Sequence, residues 1–414
     1  MRKFTLFYLV LFGLAVFSCG KKEIDIKKGD WRGVILPVRE NPDIEIPFNF
    51  YLESTAENKH TIIIRNADEK IMIDEIILRG DSLIVRMPVF SDEIKALIYG
   101  GDSLAGEYIH YGSRSSYGMT FFAKAGVNER FKDKDEKVVS DLTGRWETKV
   151  NPGDSNEYRI IGELIQTGNN LIGTFLSASG DFRYLEGNVY GNKMMMSKVD
   201  GAHTVLFTAE ISPDGNLING MLIGGPNWKE KWTAEKNEKA ELPDPEKVTE
   251  LKEGYETIDF SFINTEKKLV SLKDEKFLGK AVVVQISGTW CPNCKDEAVL
   301  FAGLYENYQP AGLEVVSLNF ESKDTATALE RMLRFKNQTG AGYEFLYAGE
   351  PGKNNVMKVL PALKSFNGYP TTIYMDRKHK VRKIYTGFSG PGTGVHYEKM
   401  RNGIIDIIEK ILQN

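Results

Sequence analysis

Residues 287–294 read Ser-Gly-Thr-Trp-Cys-Pro-Asn-Cys, and this stretch decides the fold of the C-terminal part of the chain. An apolar run over Ala281–Ser287 ends directly before it, and an amphipathic run over Pro292–Tyr308 begins within it. The first run predicts a buried strand and the second predicts a helix. The Cys-x-x-Cys pair therefore lies at a strand-to-helix junction. Pro292 suits an early helical position because its missing N–H would have no partner there.

Cys291 stands at the start of the predicted helix. Free N–H groups and the positive end of the helix dipole stabilise a thiolate at such a place. Cys294 lies three residues later, one turn inside the helix, and is close enough to form a disulfide with Cys291. The spacing predicts Cys291 as the nucleophile of thiol-disulfide exchange and Cys294 as the resolving cysteine.

Other proteins use a Cys-x-x-Cys pair to attach haem or to bind zinc. Haem attachment requires a histidine after the second cysteine, and Lys295 stands there. A zinc site needs about four ligands, whereas the chain has only three cysteines and five histidines. We therefore expect no metal and no cofactor. A thiol peroxidase of the peroxiredoxin type stays open as an alternative, although such enzymes usually carry a threonine before a single peroxidatic cysteine and no Cys-x-x-Cys pair.

Strands and helices alternate from about residue 255 onward, which is typical of a mixed sheet with crossover helices. We predict strands over residues 281–287, 313–320, 372–375 and 381–386, and helices over residues 292–308, 325–336, 355–363 and 396–412. With its Trp-Cys-Pro-Asn-Cys motif, this region resembles the TlpA-like branch of the thioredoxin-fold oxidoreductases, in the thioredoxin and AhpC/TSA superfamily. The resemblance implies an α/β thioredoxin-like domain over residues 254–414.

The resemblance also gives a role to Pro370, which directly precedes a predicted strand in the sequence Gly-Tyr-Pro-Thr-Thr-Ile. It implies that the Tyr369–Pro370 bond is cis and lies against the disulfide, at a cost of only about 0.5 to 1 kcal/mol for a bond to proline. The backbone of Tyr369 would then pair with an extended client segment, and Trp290, Tyr369 and Pro370 would contact the client. An ordinary trans proline at an edge strand is the alternative.

Cys294 has to lose a proton before it can attack a mixed disulfide. Thioredoxins usually carry a buried acid six positions before the first cysteine, but Gln285 occupies that position here. TlpA-like proteins often carry a glutamate three residues after the second cysteine, and the resemblance implies proton transfer by Glu297. On a helix, this residue projects to the same side as Cys294. A solvated surface glutamate is the alternative. The glycine-rich residues 385–394 are expected to form a connector near the redox site, with a loop that contacts the substrate as the alternative.

Two β-rich regions precede the thioredoxin-like domain. We predict β domains over residues 30–137 and 138–236, each of about eight short antiparallel strands, and a charged, proline-containing linker over residues 237–253. The second region repeats features of the first: Trp146 follows Trp31 by 115 positions, and Gly220 follows Gly106 by 114. The two regions resemble small up-and-down barrels of the lipocalin and avidin type, with a sandwich as the alternative. We expect structural roles for both tryptophans and no chemistry from either domain.

The N-terminus carries a targeting segment. Basic residues precede an apolar run that is too short to span a bilayer comfortably, and the sequence Val-Phe-Ser-Cys follows, ending at Cys19. This resembles a bacterial lipoprotein signal, with a signal peptide over residues 1–18 and a lipid-bearing Cys19 that begins a tether over residues 19–29. Because lipidation uses one of three cysteines, Cys291 and Cys294 have only each other as partners. We expect a protein that is lipid-anchored to a bacterial membrane and faces the periplasm or exterior.

Composition limits the partners. Acidic and basic residues are mixed along the chain, with a formal net charge of -4, so we expect no nucleic-acid partner. The predicted function is reduction of disulfides in extracytoplasmic client proteins, supplied with electrons by a membrane thiol donor. The alternative of another class is a ligand-binding or client-binding lipoprotein whose redox domain is auxiliary.

Overall fold

A computed structural model describes residues 25–38, 41–54, 59–113, 115–132 and 137–413. The predicted signal peptide and the predicted lipidation site, Cys19, lie outside the described residues. Within the described residues, no helix is long and apolar enough to cross a membrane.

The first β unit is a nine-stranded antiparallel sheet. Its strands are β1 (Gly29–Leu36), β2 (Ile46–Ser54), β3 (His60–Asn66), β4 (Glu69–Ile73), β5 (Ile76–Arg79), β6 (Ser82–Arg86), β7 (Glu93–Tyr99), β8 (Ser103–Tyr111) and β9 (Ser116–Ala125). Each strand pairs with the next along the chain except β4 with β5, and β9 returns to pair with β1. The unit is therefore an up-and-down barrel-like sheet with one opening, between β4 and β5.

The alternation of apolar and polar residues along the strands gives this sheet one buried face. In β7, Ile94, Ala96 and Ile98 are buried, while Lys95 and Leu97 between them are exposed. Side chains along a strand point to opposite faces in turn, so one face of the sheet packs inward and the other is solvated. The mostly apolar run over residues 71–78 predicts a single strand, and this prediction is wrong, because the chain is interrupted at Asp74 and Glu75, which divide the stretch into β4 and β5.

The second β unit closes completely. Its strands are β10 (Gly144–Val150), β11 (Tyr158–Thr167), β12 (Asn170–Ser177), β13 (Gly180–Asp181), β14 (Leu185–Tyr190), β15 (Lys193–Val199), β16 (Thr204–Ile211), β17 (Leu217–Ile223) and β18 (Lys229–Lys236). Eight of them form a ring in which β11 pairs with β12 and β18 pairs with β10, while the two-residue β13 pairs only with β12. Aromatic side chains that stack or meet edge-on, including Phe175, Phe207 and Trp232, pack inside this closed sheet.

The two units share a tryptophan contact as well as a strand order. Trp31 and Trp146 are both buried on the first strand, which lies between the second and the last strand of its unit. Each indole N–H donates to the carbonyl oxygen four residues earlier, at 2.9 Å to Lys27 and at 2.8 Å to Leu142. A buried indole N–H requires such an acceptor. That the units are a duplication remains a prediction.

The C-terminal domain has the thioredoxin-like α/β fold that the sequence predicts. Its elements are β19 (Ser261–Ile263), β20 (Leu269–Ser271), β21 (Ala281–Ser287), α1 (Pro292–Tyr308), β22 (Leu313–Phe320), α2 (Thr325–Thr339), β23 (Glu344–Gly349), α3 (Lys353–Val359), β24 (Thr371–Met375), β25 (Val381–Thr386) and α4 (Val395–Gln413). The main sheet has the order β23-β22-β21-β24-β25, in which only β24 runs antiparallel to the other four strands. Buried residues of α1, α2 and α4 cover one face, and buried residues of α3 and of the segment before β21 cover the other.

Several features of this domain differ from the expectations, among them the hairpin β19–β20, which was not predicted. The edge strand β23 was not predicted, because its six residues, Glu-Phe-Leu-Tyr-Ala-Gly, show no clear alternation. The helix expected over residues 355–363 runs instead over Lys353–Val359 and ends before Leu360.

The segment predicted as a linker packs on the thioredoxin-like domain. The Thr249 hydroxyl lies 2.7 Å from the Thr386 hydroxyl, and Leu251 forms an antiparallel bridge with Leu363. The second half of residues 237–253 is therefore attached to the domain that follows it.

Candidate active site

Cys291 and Cys294 form a disulfide at the start of α1, with their Cα atoms 5.2 Å apart. Cys291 is the N-cap residue, and its sulfur accepts a hydrogen bond from the Cys294 N–H at 3.2 Å. Only 6% of Cys291 and 1% of Cys294 are exposed. The first cysteine thus stands at the positive end of a 17-residue helix, and the second lies beneath it.

Residues at the end of β22 hold the turn that precedes the disulfide. The backbone N–H and the hydroxyl of Thr289 both donate to the carboxylate of Glu321, and the indole N–H of Trp290 donates to the Phe320 carbonyl oxygen at 2.9 Å. Burial raises the pKa of Glu321 to about 7. Sequence reasoning did not identify Glu321 as a buried acid of this site. The available signal was its position directly after an apolar strand that neighbours β21.

The Tyr369–Pro370 peptide bond is cis. The Tyr369 ring meets the Trp290 ring edge-on, with centroids 5.1 Å apart, and its hydroxyl accepts a hydrogen bond from the Gly352 N–H at 3.2 Å. The structure therefore brings together the loop before Pro370 and the residue that precedes Cys291.

Glu297 is buried on α1, with 2% of its surface exposed. It accepts hydrogen bonds from the side-chain amide of Gln285, at 2.9 Å, and from the hydroxyl of Thr372. Burial raises its pKa to about 7, although both hydrogen bonds favour the charged form. The alternative of a solvated surface glutamate is wrong. Gln285 cannot exchange a proton, but it does position the carboxylate that can.

The second β unit also reaches this site, which sequence reasoning missed because it assigned the β units no chemistry. Asn293, between the two cysteines, donates to the carbonyl oxygen of Asp181 at 3.3 Å. The Asp181 carboxylate accepts a hydrogen bond from the Gly390 N–H at 2.6 Å. The glycine-rich loop after β25 is therefore packed between the second β unit and the redox helix.

Arg183 connects all three parts of the chain. Its guanidinium forms ion pairs with Asp296 on α1 and with Glu69 on β4, and its Nε lies 3.9 Å from the carboxylate of Asp200. The side chains of Arg183, Asp296 and Glu69 are each less than one-tenth exposed. A buried arginine is satisfied only by several acceptors, so this cluster fixes the redox helix relative to both β units.

The mixed sheet, the disulfide at the start of α1 and the cis peptide bond beside it together define a thioredoxin-like thiol-disulfide oxidoreductase domain. Residues 254–384 match the AhpC/TSA family.

Named relatives agree with this class. The chain is 27% identical to thiol-disulfide oxidoreductase ResA of Bacillus subtilis over 137 residues, which are 33% of this chain and 69% of that protein. It is 30% identical to ResA of Bacillus thuringiensis over 31% of this chain and 66% of the relative. The thioredoxin-like protein YneN of Bacillus subtilis is 28% identical over 40% of this chain and 85% of its own length.

A solved structure, a putative thiol:disulfide interchange protein DsbE from Chlorobium tepidum, is 22% identical, with a TM-score of 0.30. The match covers 38% of this chain and 99% of that one.

Proposed function

We propose that this protein reduces disulfides of extracytoplasmic client proteins through Cys291 and Cys294 while a lipid on Cys19 holds it at a membrane. The observation that carries the redox assignment is the Cys291–Cys294 disulfide at the start of α1, beside a cis proline and a buried glutamate.

The reaction begins with the reduced pair. The Cys291 thiolate attacks one sulfur of the client disulfide, so that a mixed disulfide forms and the other client sulfur leaves as a thiolate. The Cys294 thiolate then attacks the Cys291 sulfur and releases the second client thiolate. Two electrons pass from the cysteine pair to the client, and an external dithiol at the membrane returns the pair to its reduced form.

Glu297 accepts the proton of Cys294 before the second step. Its carboxyl group is buried and has a pKa of about 7, so that it can both take and release a proton near neutral pH. Both groups lie on α1, three residues apart, and share one face of the helix. Gln285 and Thr372 orient the carboxylate throughout.

The client approaches beside Pro370. The backbone of Tyr369 offers hydrogen bonds to an extended client segment, as an added strand would use them, and the ring of Trp290 lies against the Tyr369 ring. Trp290, Tyr369 and Pro370 therefore surround the client disulfide.

A single-turnover assay tests the redox assignment. The full chain is reduced, freed of small thiols and mixed with insulin or with the small aromatic disulfide DTNB, and lost protein thiols are counted against the thiols that appear. We expect one substrate disulfide to be reduced per Cys291–Cys294 pair. Hydrogen peroxide is tested in parallel, and faster oxidation by peroxide than by either disulfide would favour the thiol peroxidase alternative.

The tether is tested separately by fractionation of cells that express the Cys19→Ala protein. We expect the unmodified chain in the membrane fraction and the variant in the soluble fraction. Stable membrane association of a correctly processed variant would contradict lipidation at Cys19.

A further inference from the structure

Residues 178–181 of the second β unit, which we name the covering loop, lie over the redox site. The loop consists of residues 178 and 179, which link β12 to β13, and of β13 itself. It contacts Gly368, just before the cis peptide bond, and Gly387, just after β25. A Cβ atom at Gly368 would lie 2.6 Å from the Cβ of Ser179, and one at Gly387 would lie 2.9 Å from the Ser179 carbonyl carbon. Such distances are too short for any side chain. Glycine at both positions therefore allows the covering loop to approach.

The covering loop also touches the redox motif itself. A Cβ atom at Gly180 would overlap the side-chain amide of Asn293, and the same amide donates to Asp181. The loop thus contacts the three segments that surround the disulfide: the start of α1, the loop before Pro370 and the loop after β25. An extended client that pairs with Tyr369 needs the same space.

Two further polar contacts, besides the Asn293 hydrogen bond, hold the covering loop in place. Asp181 accepts the hydrogen bond from Gly390 at 2.6 Å. Arg183, two residues further on, is anchored by its ion pairs with Asp296 and Glu69. The anchor lies at one end of the loop. The segment over the redox site is held by the short β13 pairing with β12 and by the Ser177 hydroxyl, which donates to the Gly180 carbonyl oxygen and accepts from the Ser179 N–H.

There is room for the covering loop to move. A cavity of about 690 Å³ lies beside it and is lined by Ser177, Ala178 and Ser179, with Tyr158, Phe182 and Pro243 around them. Cys291 keeps 6% of its surface exposed while the loop is in place. A small disulfide needs access to one sulfur only. A polypeptide also needs the space beside Tyr369 and Pro370 that the covering loop occupies.

We propose that the covering loop determines substrate specificity, an inference that rests on the proposed function. Small disulfides react with Cys291 while the loop is in place. A polypeptide disulfide reacts only after the loop has moved away from Gly368 and Gly387, so a protein client has to displace part of the second β unit. The second β unit is thereby a component of the redox site.

Gly180→Ala in the full chain tests this. Gly180 has a φ of 146°, so alanine there is strained and also collides with Asn293. The matched control is Gly168→Ala, because Gly168 has a φ of 61° in the same unit and open space around it. For each reduced protein, the single-turnover rates with insulin and with DTNB are measured. We expect Gly180→Ala to raise the ratio of the insulin rate to the DTNB rate by about fivefold or more, because backbone strain weakens the closed state. Gly168→Ala should leave that ratio unchanged.

The outcomes separate the two proposals. An unchanged ratio in Gly180→Ala, with both substrates reduced, would overturn the role of the covering loop and leave the proposed function intact. Loss of reduction of both substrates by the unmodified chain would overturn the proposed function and this inference with it.

A second measurement uses no variant of the covering loop. It therefore tests the displacement of the loop even where Gly180→Ala fails to fold. The Cys294→Ser protein is linked through Cys291 either to a cysteine-containing peptide of about ten residues, long enough to pair as a strand, or to glutathione. Amide hydrogen exchange of residues 177–183 is then compared. Faster exchange with the peptide alone is expected, and equal exchange in both adducts would contradict displacement of the loop.

Discussion

Gln285 and Glu297 are joined by a buried hydrogen bond of 2.9 Å from the amide nitrogen of the first to the carboxylate of the second. Gln285 lies on β21 and Glu297 on α1, so the bond connects the strand and the helix that meet at the disulfide. Only one partner can titrate. Gln285 is therefore a fixed hydrogen-bond donor, and Glu297 is a proton acceptor. Burial raises the pKa of Glu297 to about 7.

Glu297→Gln should slow resolution of the mixed disulfide and leave the first attack nearly unchanged. The variant keeps the shape of the side chain but cannot accept the Cys294 proton, and loss of a general base typically slows a step about a hundredfold or more. Rapid acid quenching followed by mass spectrometry measures both steps. Glu306→Gln is the matched control, because Glu306 is exposed on the same helix. Equal resolution rates in the two variants would remove Glu297 from the mechanism.

Glu297 should also make stability depend on pH. Its pKa is raised from 4.5 to about 7 in the folded protein, so between these values the folded state binds more protons than the unfolded state. The free energy of unfolding therefore falls as the pH rises from about 4.5 to about 7, by about 3 kcal/mol for this group. Calorimetry should show that Glu297→Gln raises Tm above that of the unmodified protein, and that this rise is larger at pH 8 than at pH 5. Glu321, whose pKa is also about 7, keeps part of the pH dependence in that variant.

Cys294→Ser should accumulate client proteins as mixed disulfides, and Cys291→Ser should trap almost none. The physical reason is that Cys291 lies at the helix start, where a thiolate is stabilised, whereas Cys294 is nearly inaccessible. Non-reducing gels after acid quenching report the trapped species. Comparable trapping by the two variants would show that the nucleophile is assigned wrongly.

Arg183→Met should destabilise the chain by about 3 to 5 kcal/mol, because it leaves buried carboxylates without their partner. Asp296 and Glu69 lose their main ion pair, whereas Asp200 keeps Lys198 at 2.6 Å. Chemical denaturation measures the change. The matched control is Arg159→Met, since the Arg159 side chain is 51% exposed in its pair with Glu147, and we expect a loss of about 1 kcal/mol or less there. Similar losses in both variants would refute a special role for the buried cluster.

The thioredoxin-like fold was predictable because its signals are local. A Cys-x-x-Cys pair between a buried strand and a helix fixes the position of β21 and α1, and the burial of Glu297 follows from helix spacing. The predicted barrel-like character of the N-terminal region likewise followed from alternating strands.

Contacts between distant parts of the chain were not predictable in the same way. Glu321 bonds to Thr289, 32 positions earlier, and Asp181 meets Asn293 across 112 positions. Asp181 carries no local pattern that distinguishes it from a surface acid, and the one signal for Glu321 is its position directly after an apolar strand. The involvement of the second β unit in the site depends on how folded units pack, and periodicity within one unit contains no information about that packing.

The opening in the first β unit has a consequence for its solubility. Strands β4 and β5 end the sheet there, and their unpaired edges would be templates for pairing with another molecule. In the folded chain, Arg183 binds Glu69 on β4, and Arg334 on α2 binds Glu75 between the two strands at 2.9 Å. The rest of the protein thus shields this edge. Separated from it, the first unit would expose a docking site for its own copies, and we would expect it to aggregate where the closed second unit would not.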